Sequence, residues 1–412
     1  MGEKIKTIIS FGHLPKEVGG KQYSGLSQVM WRLANEINKL QSEYRVIFIA
    51  TDIHISKVKI EHTEVLGWDI GLFVKSFLKN FKFNCKQLTK AKNLWINYKY
   101  PLVNSWIKLV LWNQILSNQL DSAEFIHVHG VNNYMMLDGL LKTYKKKIIL
   151  TLHGITGVDE TQVNMKIQFE LENYVNHCDR IDNLVFITEE IRKKFFQLYG
   201  QSFTPTSVIL NGFDPNIFYF HESERDFVTN SKISLVTIGG ISKLKGQIRI
   251  INALSKLPDQ MKRNYVLTMI GVGHDEEISV IKEISKNNNV ELHYLGYKEP
   301  LEIAKVLRKS DYMILPSSSE GFGLVFLESI ACGTPVILPK NLPLALEVNV
   351  LNSYNSIKIN DHSIEAIYNC LYKLTKFPYS RELVSSTIDH LKWEMIAKQY
   401  VILFNLMLTT KR

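Results

Sequence analysis

Residues Leu315–Leu338 read LPSSSEGFGLVFLESIACGTPVIL, and the pattern of this stretch predicts the architecture of the chain. An apolar run ends at Leu315 and is followed by proline, three serines, Glu320 and two glycines. A segment with helical potential, Leu324–Cys332, then stops at Gly-Thr-Pro, and a second apolar run, Val336–Leu338, follows. The order strand, loop, helix, strand is typical of a parallel α/β sheet.

Two features of this stretch indicate a ligand. Glu328 is the single charged residue in a helix that is otherwise mostly apolar, and a carboxylate in a buried helix needs partners. The loop before it carries Glu320, Gly321 and Gly323, and glycine lets a backbone approach a ligand closely. A phosphate on the N–H groups of Phe322–Val325, flanked by two carboxylates that bind sugar hydroxyls, would account for both features. The alternative is an internal salt bridge of the second glutamate after an ordinary loop.

Length and composition favour a two-domain cytoplasmic protein. A chain of 412 residues is too long for one compact core. The charged start MGEKIKTIISFGH predicts a first strand and not a signal peptide, and no apolar run approaches the roughly 20 residues that span a bilayer. The four cysteines are scattered without metal-ligand spacing, which is typical of reduced thiols.

The net charge of +9 is concentrated in one part of the chain. Residues 71–120 contain no Asp or Glu but eight lysines, with phenylalanines and tryptophans between them. Over Gly71–Trp112 this pattern predicts a basic amphipathic helix on an anionic membrane surface. A solvated lysine face is the alternative. Nucleic acid is not expected as a partner, since no nucleic-acid-binding module is recognisable.

The N-terminal half begins as a nucleotide-binding type of unit. A strand at Ile5–Ser10 leads into a loop with Gly19, Gly20 and Gly25, and an amphipathic helix and a strand at Val46–Ala50 follow.

Two later strands of this half end in histidine. Phe125–His129 ends at His129, and Ile148–Leu152 is followed by His153. Ligands gather at the carboxyl ends of parallel strands, so these histidines are candidate site residues, although a histidine there can also be purely structural.

The second half restarts the same pattern. A strand at Ser234–Ile238 leads into the loop GGISKLKG, which carries Lys243 and Lys245, and a strand at Val290–Leu295 is followed by Gly296 and Tyr297. A compact cation beside a glycine turn suits a phosphate, whose charge must be stabilised as it leaves.

The segment from Glu320 to Pro335 resembles the E-x7-E motif of retaining glycosyltransferases with the GT-B fold, family 4, also called glycosyl transferases group 1. The resemblance implies an α/β fold of two Rossmann-like domains with parallel sheets facing a central cleft, and a C-terminal helix that crosses back to the N-terminal domain. It implies an acceptor-binding domain over residues 1–214, with 393–412 packed on it, and a nucleotide-sugar-binding domain over residues 215–392.

The resemblance also implies roles for individual residues. The expected catalytic residues are Glu320, His129 and Lys245. The expected donor-binding residues are Glu328, Gly321, Phe322, Gly323, Leu324, Val325, Gly25, Tyr297 and Lys243. The expected residues that contact the acceptor or the sugar are Gly19, Gly20 and His153. No metal and no cofactor beyond the nucleotide-sugar co-substrate are expected, in keeping with the lack of a D-x-D motif.

The function implied is retaining transfer of a sugar from a UDP- or GDP-sugar to a glycan, lipid-linked or protein acceptor. Cell-surface polysaccharide or glycoconjugate synthesis, at the inner face of the cell membrane, is the expected setting. One departure counts against full activity: Gly240 stands where the family usually has an arginine. The alternative is therefore a non-catalytic partner that binds glycan or stabilises an active paralogue, although the intact pair Glu320 and Glu328 disfavours it.

Overall fold

The computed structural model describes residues 5–20, 25–40, 42–50, 57–67, 119–130, 146–154, 180–200, 204–222, 232–375 and 377–409, with single residues and short runs between 71 and 110. The chain divides into two compact units. Unit 1 comprises Met1–Leu210 and Trp393–Arg412, and unit 2 comprises Asn211–Lys392. Most of the basic stretch Gly71–Trp112 lies outside the described residues.

Unit 1 is built on a sheet that is parallel except at one edge. Its strands in chain order are β1 (Lys6–Gly12), β2 (Tyr44–Ala50), β3 (Val58–Ile60), β4 (Thr63–Leu66), β5 (Ala123–His129), β6 (Lys147–Leu152), β7 (Asn183–Phe186) and β8 (Thr206–Val208). Their order across the sheet is β3-β4-β2-β1-β5-β6-β7-β8. The edge pair β3 and β4 is antiparallel. This hairpin was not expected from the sequence, because its strands are only three and four residues long and alternate weakly.

The helices described in unit 1 cover the apolar faces of this sheet. They are α1 (Gly25–Lys39), α2 (Glu189–Tyr199) and α10 (Trp393–Thr409), with short 3-10 helices at Lys16–Val18 and Leu120–Ser122. Strand β1 is buried at every residue after its first, as the apolar run in its sequence predicts for a central parallel strand. Trp31 of α1 is fully buried and packs edge-on against Phe48 of β2, with ring centroids 5.8 Å apart.

The C-terminal helix α10 belongs to unit 1. The ring of Phe404 is fully buried and lies 5.3 Å from the rings of both Tyr44 and Phe125. The hydroxyl of Tyr44 also donates a 2.5 Å hydrogen bond to the side-chain oxygen of Asn405. The last helix of the chain is thus anchored by aromatic packing on strands more than 250 residues earlier in the sequence.

Unit 2 contains a fully parallel sheet. Its strands are β9 (Ile233–Ile238), β10 (Tyr265–Ile270), β11 (Leu292–Gly296), β12 (Tyr312–Ile314), β13 (Val336–Pro339) and β14 (Ser356–Ile359). Their order across the sheet is β11-β10-β9-β12-β13-β14. The helices are α3 (Gln247–Lys256), α4 (Asp259–Lys262), α5 (Asp275–Asn287), α6 (Pro300–Lys309), α7 (Leu324–Ala331), α8 (Ile364–Lys373) and α9 (Arg381–Ser386), with 3-10 helices at Pro343–Leu346 and Asp389–Leu391.

Local sequence signals explain where the helices of unit 2 begin. The side chain of Ser363 accepts a hydrogen bond from the N–H of Ala366 and caps α8. Glu299 and Glu302 form a reciprocal capping box at the start of α6, where Pro300 is the first helical residue. These helices pack on a core that includes Leu235, buried completely on β9.

The predicted α/β class with parallel sheets is confirmed, and element ends differ from the prediction by one or two residues. The first strand, predicted at Ile5–Ser10, covers Lys6–Gly12, and the strand predicted from Val290 begins at Leu292. In the described part of the chain, no helix is both long and apolar enough to span a bilayer.

Candidate functional site

Each sheet reverses its strand order at one point, and the candidate residues gather there. In unit 2 the chain winds outward from β9 to β10 and β11, and then returns to place β12 on the other side of β9. Ligands bind at such switch points, outside the carboxyl ends of the strands. The two loops that leave this point are residues 239–246 and residues 315–323, which carry Lys245 and Glu320.

Lys245 and Glu320 form an ion pair at this switch point. The ammonium nitrogen of Lys245 lies 2.6 Å from Oε1 of Glu320, and the Ser317 hydroxyl donates to the same oxygen at 2.7 Å. The side chain of Glu320 is only 8% exposed, whereas that of Lys245 is 27% exposed. The structure therefore joins two residues 75 positions apart in sequence, and the cation is the more accessible partner.

Helix α7 begins directly after this carboxylate. Gly323 precedes its first turn in the left-handed conformation, with φ of +81°, and a Cβ there would lie 2.6 Å from the ring of Phe326. Glycine is therefore required on both conformational and steric grounds. Leu324 and Val325 form the first turn and are partly exposed, and the first N–H groups of a helix have no partner within the helix.

Glu328 follows one turn later on α7. The sequence predicts a buried helix around this carboxylate, and the residues on either side of it, Leu327 and Ser329, are indeed fully buried. Glu328 itself is partly exposed. The helix is therefore buried on one face only, since Leu324, Val325 and Glu328 are all partly exposed on the other.

The loop after β9 is held by a buried amide. Gln247 is 1% exposed, and its side-chain N–H groups donate to the carbonyls of Gly240 at 3.1 Å and Gly239 at 3.5 Å. Its side-chain oxygen accepts from the N–H of Ser242 at 3.3 Å. The main chain of this glycine-rich loop is thus tied to the first turn of α3.

The remaining predicted donor residues in unit 2 lie on the same side of its sheet. Lys243 is exposed, and Tyr297 is 39% exposed just after β11. Gly321 and Phe322 lie between Glu320 and α7, and Phe322 is buried.

In unit 1 three histidines form a second cluster. His127 and His129 on β5 are each 2% exposed, and His153 follows β6. Nδ1 of His129 lies 2.9 Å from Nε2 of His153, and Nε2 of His127 lies 2.8 Å from the Thr151 hydroxyl. The two predicted site histidines, 24 residues apart in sequence, are therefore hydrogen-bonded to each other.

The geometry of this cluster excludes a positive charge on both His129 and His153 at once. A hydrogen bond between two imidazole nitrogens has room for one proton, and two imidazolium rings would point N–H groups at each other. Burial lowers the pKa of His127 and of His153 to about 3. Burial also lowers the pKa of His129 well below its ordinary value, and the neighbouring His127 and His153 add to that effect.

The C-terminal helix completes the cluster. The hydroxyl of Tyr400 lies 3.3 Å from that of Thr151, and its ring centroid lies 5.3 Å from that of His127. On the other side, the Ser10 hydroxyl lies 3.5 Å from Nε2 of His129. Among the described residues, Nδ1 of His153 has no hydrogen-bond partner although the atom is buried. The cluster thus ends in one nitrogen that can accept or donate a further hydrogen bond.

The glycines predicted near the acceptor lie in the segment that follows β1. Gly20 donates its N–H to the carbonyl of Pro15 at 3.0 Å, and a Cβ on it would overlap the carbonyl of Leu14. Gly19 has φ of +91°. The tight turn explains why both are glycines. Gly25 is the exposed first residue of α1.

Sequence reasoning missed several residues that position the candidates. They are Ser317 and Gln247 in unit 2 and Ser10, Thr151 and Tyr400 in unit 1. The serine run before Glu320 was a visible signal for Ser317. Tyr400 offered none, since an aromatic residue in an apolar helix predicts only core packing. In the described part of the chain, no three His, Cys, Asp or Glu side chains are arranged to hold a metal ion.

Comparison with known proteins relates part of this chain to a family. The sequence profile of glycosyl transferases group 1 matches residues 221–382, which lie within unit 2. N-acetyl-alpha-D-glucosaminyl L-malate synthase of Bacillus anthracis is 26% identical over 230 residues. That alignment covers 53% of this chain and 57% of the relative, somewhat more than half of each.

Solved structures share the fold over almost the whole chain. Sucrose-phosphate synthase of Thermosynechococcus elongatus superposes with a TM-score of 0.74 and 13% identity, covering 98% of this chain and 100% of that one. HepE of Anabaena, in complex with UDP and glucose, superposes with a TM-score of 0.67 and 15% identity, covering 97% and 100%. At these identities the likeness establishes the fold. The profile match supports the predicted enzyme class, a glycosyltransferase. Residues 221–382 are therefore similar to glycosyl transferases group 1, and the predicted GT-B fold is confirmed.

Proposed function

We propose that this protein transfers a sugar, with retention of configuration, from a nucleotide-sugar to a glycan, lipid-linked or protein acceptor. The observation that carries the proposal is the ion pair of Lys245 and Glu320 at the switch point of unit 2, beside the start of α7. This site combines a cation, a carboxylate and a helix N-terminus, and these are the groups that an activated sugar phosphate requires.

The positive groups suit the diphosphate. When the bond between sugar and diphosphate breaks, negative charge grows on the phosphate oxygens and must be stabilised. Lys245 supplies a full charge, and the helix start supplies backbone N–H groups with the favourable end of the helix dipole. In binding phosphate, the ammonium of Lys245 would exchange its contact with Glu320 for a contact with a phosphate oxygen.

The carboxylates suit hydroxyl groups. Glu320, freed from Lys245 by that exchange, can accept a hydrogen bond from a hydroxyl of the transferring sugar, while Ser317 continues to orient it. Glu328 is partly exposed eight positions later, which supports its role as acceptor for the ribose hydroxyls. We assign the acceptor oxygen's proton to the departing diphosphate, which is the strongest base that this reaction itself generates.

The histidine cluster of unit 1 is chemically different and suits an uncharged part of a substrate. A neutral imidazole both donates and accepts one hydrogen bond, which matches a sugar hydroxyl. We therefore propose that His129 and His153 bind hydroxyls of the sugar or the acceptor. The unpartnered nitrogen of His153 among the described residues supports this role.

The wider setting is also a proposal. The structure of HepE of Anabaena contains UDP and glucose, which supports a nucleotide-sugar donor here. The basic and aromatic stretch Gly71–Trp112 supports an anionic membrane surface as a partner, and hence a cytoplasmic protein bound peripherally to a membrane during cell-surface polysaccharide or glycoconjugate synthesis.

The first test is a thermal-shift screen against UDP, GDP, ADP and their common sugar conjugates. All six tryptophans lie in unit 1, so an external dye or calorimetry should be used to follow unit 2, where the donor would bind. We expect one nucleoside diphosphate and its sugar to raise the melting temperature, and slow hydrolysis of that sugar conjugate without acceptor. Binding of none of them would contradict the proposal.

The non-catalytic alternative keeps one specific observation in its favour, the glycine at position 240. A protein that binds a nucleotide-sugar but neither transfers nor hydrolyses it, with every acceptor class supplied, would support that alternative.

A further inference from the structure

A guanidinium group lies inside the loops that form the candidate donor site. Arg249 is the third residue of α3, and its side chain reaches back across the start of its own helix. Its Nη1 donates to the carbonyl of Lys243 at 3.0 Å, and its Nη2 donates to the carbonyl of Pro316 at 2.9 Å. One side chain therefore bonds to both loops, at a residue two positions before Lys245 and at a residue four positions before Glu320.

A second link joins the same two loops. The carbonyl of Leu244 accepts from the N–H of Ser318 at 2.9 Å, from its hydroxyl at 3.3 Å, and from Nη2 of Arg249 at 3.4 Å. Leu244 and Ser318 are thus the meeting point of the two loops. Lys245 follows Leu244 by one residue and Glu320 follows Ser318 by two. The 2.6 Å contact between Lys245 and Glu320 therefore depends on the hydrogen bonds that join Leu244 to Ser318.

The backbone around Arg249 is shaped to receive it. Gly246 has φ of +79°, and a Cβ there would overlap the guanidinium group. The first turn of α3 therefore leaves space for the planar guanidinium group, which donates hydrogen bonds in two directions. A lysine could reach one of these carbonyls but could not bridge all three, since its donors radiate from a single nitrogen.

We propose that Arg249 is a positioning residue that holds Lys245 and Glu320 in the geometry needed to bind a nucleoside diphosphate, an inference that rests on the proposed function. Its Nη1 and Nη2 atoms both donate to carbonyl oxygens of the two loops, so it acts through Lys245 and Glu320. Gly240, where a family arginine is missing, is a separate position. Its φ is not positive, and a Cβ on it would meet only the carbonyl of Val272 at 3.8 Å. That backbone could carry an arginine, which allows the two roles to be separated.

The first experiment measures the loop geometry directly and needs no substrate. The protein is acetylated briefly with acetic anhydride, and mass spectrometry compares modification of Lys245 with that of the exposed Lys243 in the same peptide. In Arg249→Met we expect the ratio to rise several-fold, since the released loop frees Lys245 from Glu320. In Arg249→Lys the acetylation ratio should lie between the ratios of Arg249→Met and the wild type. This conservative variant keeps the test valid if Arg249→Met does not fold. Lys256→Met, which removes an exposed charge from the end of the same helix, is the control and should leave the ratio unchanged.

The second experiment measures donor chemistry, with the nucleoside diphosphate identified by the thermal-shift screen and its sugar conjugate as probes. We expect Arg249→Met to lower transfer or donor hydrolysis on the order of 10-fold, mainly in kcat, because misplacement of the binding groups weakens stabilisation of the developing charge. In a Lys245→Ala background the same change should have little further effect, since residues that act as a unit are not additive.

The outcomes separate this inference from the proposed function. Wild-type protein that binds the probe, together with an Arg249→Met variant of unchanged acetylation ratio and unchanged kcat, would overturn the inference and leave the function standing. Full rescue of Arg249→Met by Gly240→Arg would also overturn it, since it would show that a guanidinium charge alone is needed. A raised acetylation ratio that Gly240→Arg does not reverse would support it. If wild type binds none of the three nucleoside diphosphates, the proposed function fails, and this inference fails with it.

Discussion

The two clusters of candidate residues lie at equivalent places in their sheets yet differ in charge. In unit 2, Lys245 and Glu320 meet outside the carboxyl ends of β9 and β12 as a pair of opposite charges. In unit 1, His129 lies at the carboxyl end of β5, beside β1, among neutral rings and hydroxyls. The same topological feature therefore provides a charged site in one unit and an uncharged one in the other.

The difference follows from burial and from what each cluster can bind. The side chain of Lys245 is more than a quarter exposed, so its ammonium group is accessible to an anion. The histidines are buried against each other and against α10, where a charged imidazole would be costly. We therefore expect perturbations of unit 2 to change the binding of phosphate, and perturbations of unit 1 to change recognition of hydroxyls and stability in acid.

Replacing the cation is expected to have the largest effect. In Lys245→Ala, transfer should fall by about 10²-fold or more, because a group that stabilises the developing diphosphate charge is removed. Affinity for the nucleoside diphosphate should fall and lose much of its dependence on ionic strength. Steady-state kinetics and calorimetric titration at low and high salt would measure both, with Lys256→Ala as the control. Unchanged turnover in Lys245→Ala would contradict its role.

Replacing the carboxylate should have a different signature. In Glu320→Gln we expect transfer to fall by about 10²-fold as well. Affinity for the nucleoside diphosphate should be maintained or increased, because Lys245 no longer has Glu320 as a competing partner. Calorimetric titration of both variants with the same nucleoside diphosphate would measure this. Equal loss of binding in the two variants would contradict the proposal that Lys245 binds the diphosphate and Glu320 binds the sugar.

Acid should weaken unit 1 through its histidines. His127 and His153 have pKa values of about 3 in the folded protein against an ordinary 6.5. Between those values the unfolded chain binds protons that the folded chain does not, so stability is complete above about pH 6.5 and is lost as pH falls toward 3. Each such histidine changes the free energy of unfolding by at most about 1.4 kcal/mol per pH unit in this window.

Urea unfolding followed by tryptophan fluorescence would measure this effect, because all six tryptophans lie in unit 1. We expect a lower free energy of unfolding at about pH 5.5 than at about pH 7, and a smaller difference in His127→Asn, which has one fewer titrating group. The same value at both pH values in the wild type would indicate that the imidazoles are not held neutral.

A smaller effect is expected from the histidine that is proposed to bind a hydroxyl. In His129→Asn, transfer should fall about 10-fold, as expected for loss of one neutral hydrogen bond to a substrate. Affinity for the nucleoside diphosphate should not change, since that ligand would be bound by unit 2. Kinetics with the intact nucleotide-sugar would measure the loss, and the exposed His62→Asn is the matched control. A fall in diphosphate affinity would contradict the division of roles.

The smallest effect concerns the C-terminal helix. Tyr400→Phe removes a hydroxyl that lies 3.3 Å from Thr151, while the ring stays packed on His127. Unit 1 should lose about 1 kcal/mol of stability, the usual net value of one hydrogen bond. Tryptophan fluorescence in urea would measure it, and Tyr372→Phe, at an exposed position of unit 2, should leave that transition unchanged. A loss several times larger would mean that Tyr400 orders the whole cluster.

Local sequence was sufficient for most of the fold. Apolar runs predict most of the strands of both sheets, because a strand in a parallel sheet is buried on both faces. The helices follow from the spacing of apolar residues and from caps such as Ser363. The short pair β3 and β4 was not predicted, since three or four residues carry too little periodicity to distinguish a strand from a loop.

The candidate chemistry was also visible in the sequence, as Glu320, Lys245 and the histidines at strand ends. Residue types and short spacings are properties of the local chain, and so are glycines that a left-handed backbone requires, as at Gly323. Which of these side chains contact each other in the folded protein could not be predicted from the sequence. The contact of Lys245 with Glu320, the bridge made by Arg249, and the packing of Tyr400 on His127 join residues 67 to 273 positions apart or place a side chain across a turn. Such contacts depend on strand order and side-chain direction, which arise only when the whole sheet is assembled, so no local pattern in the chain encodes them.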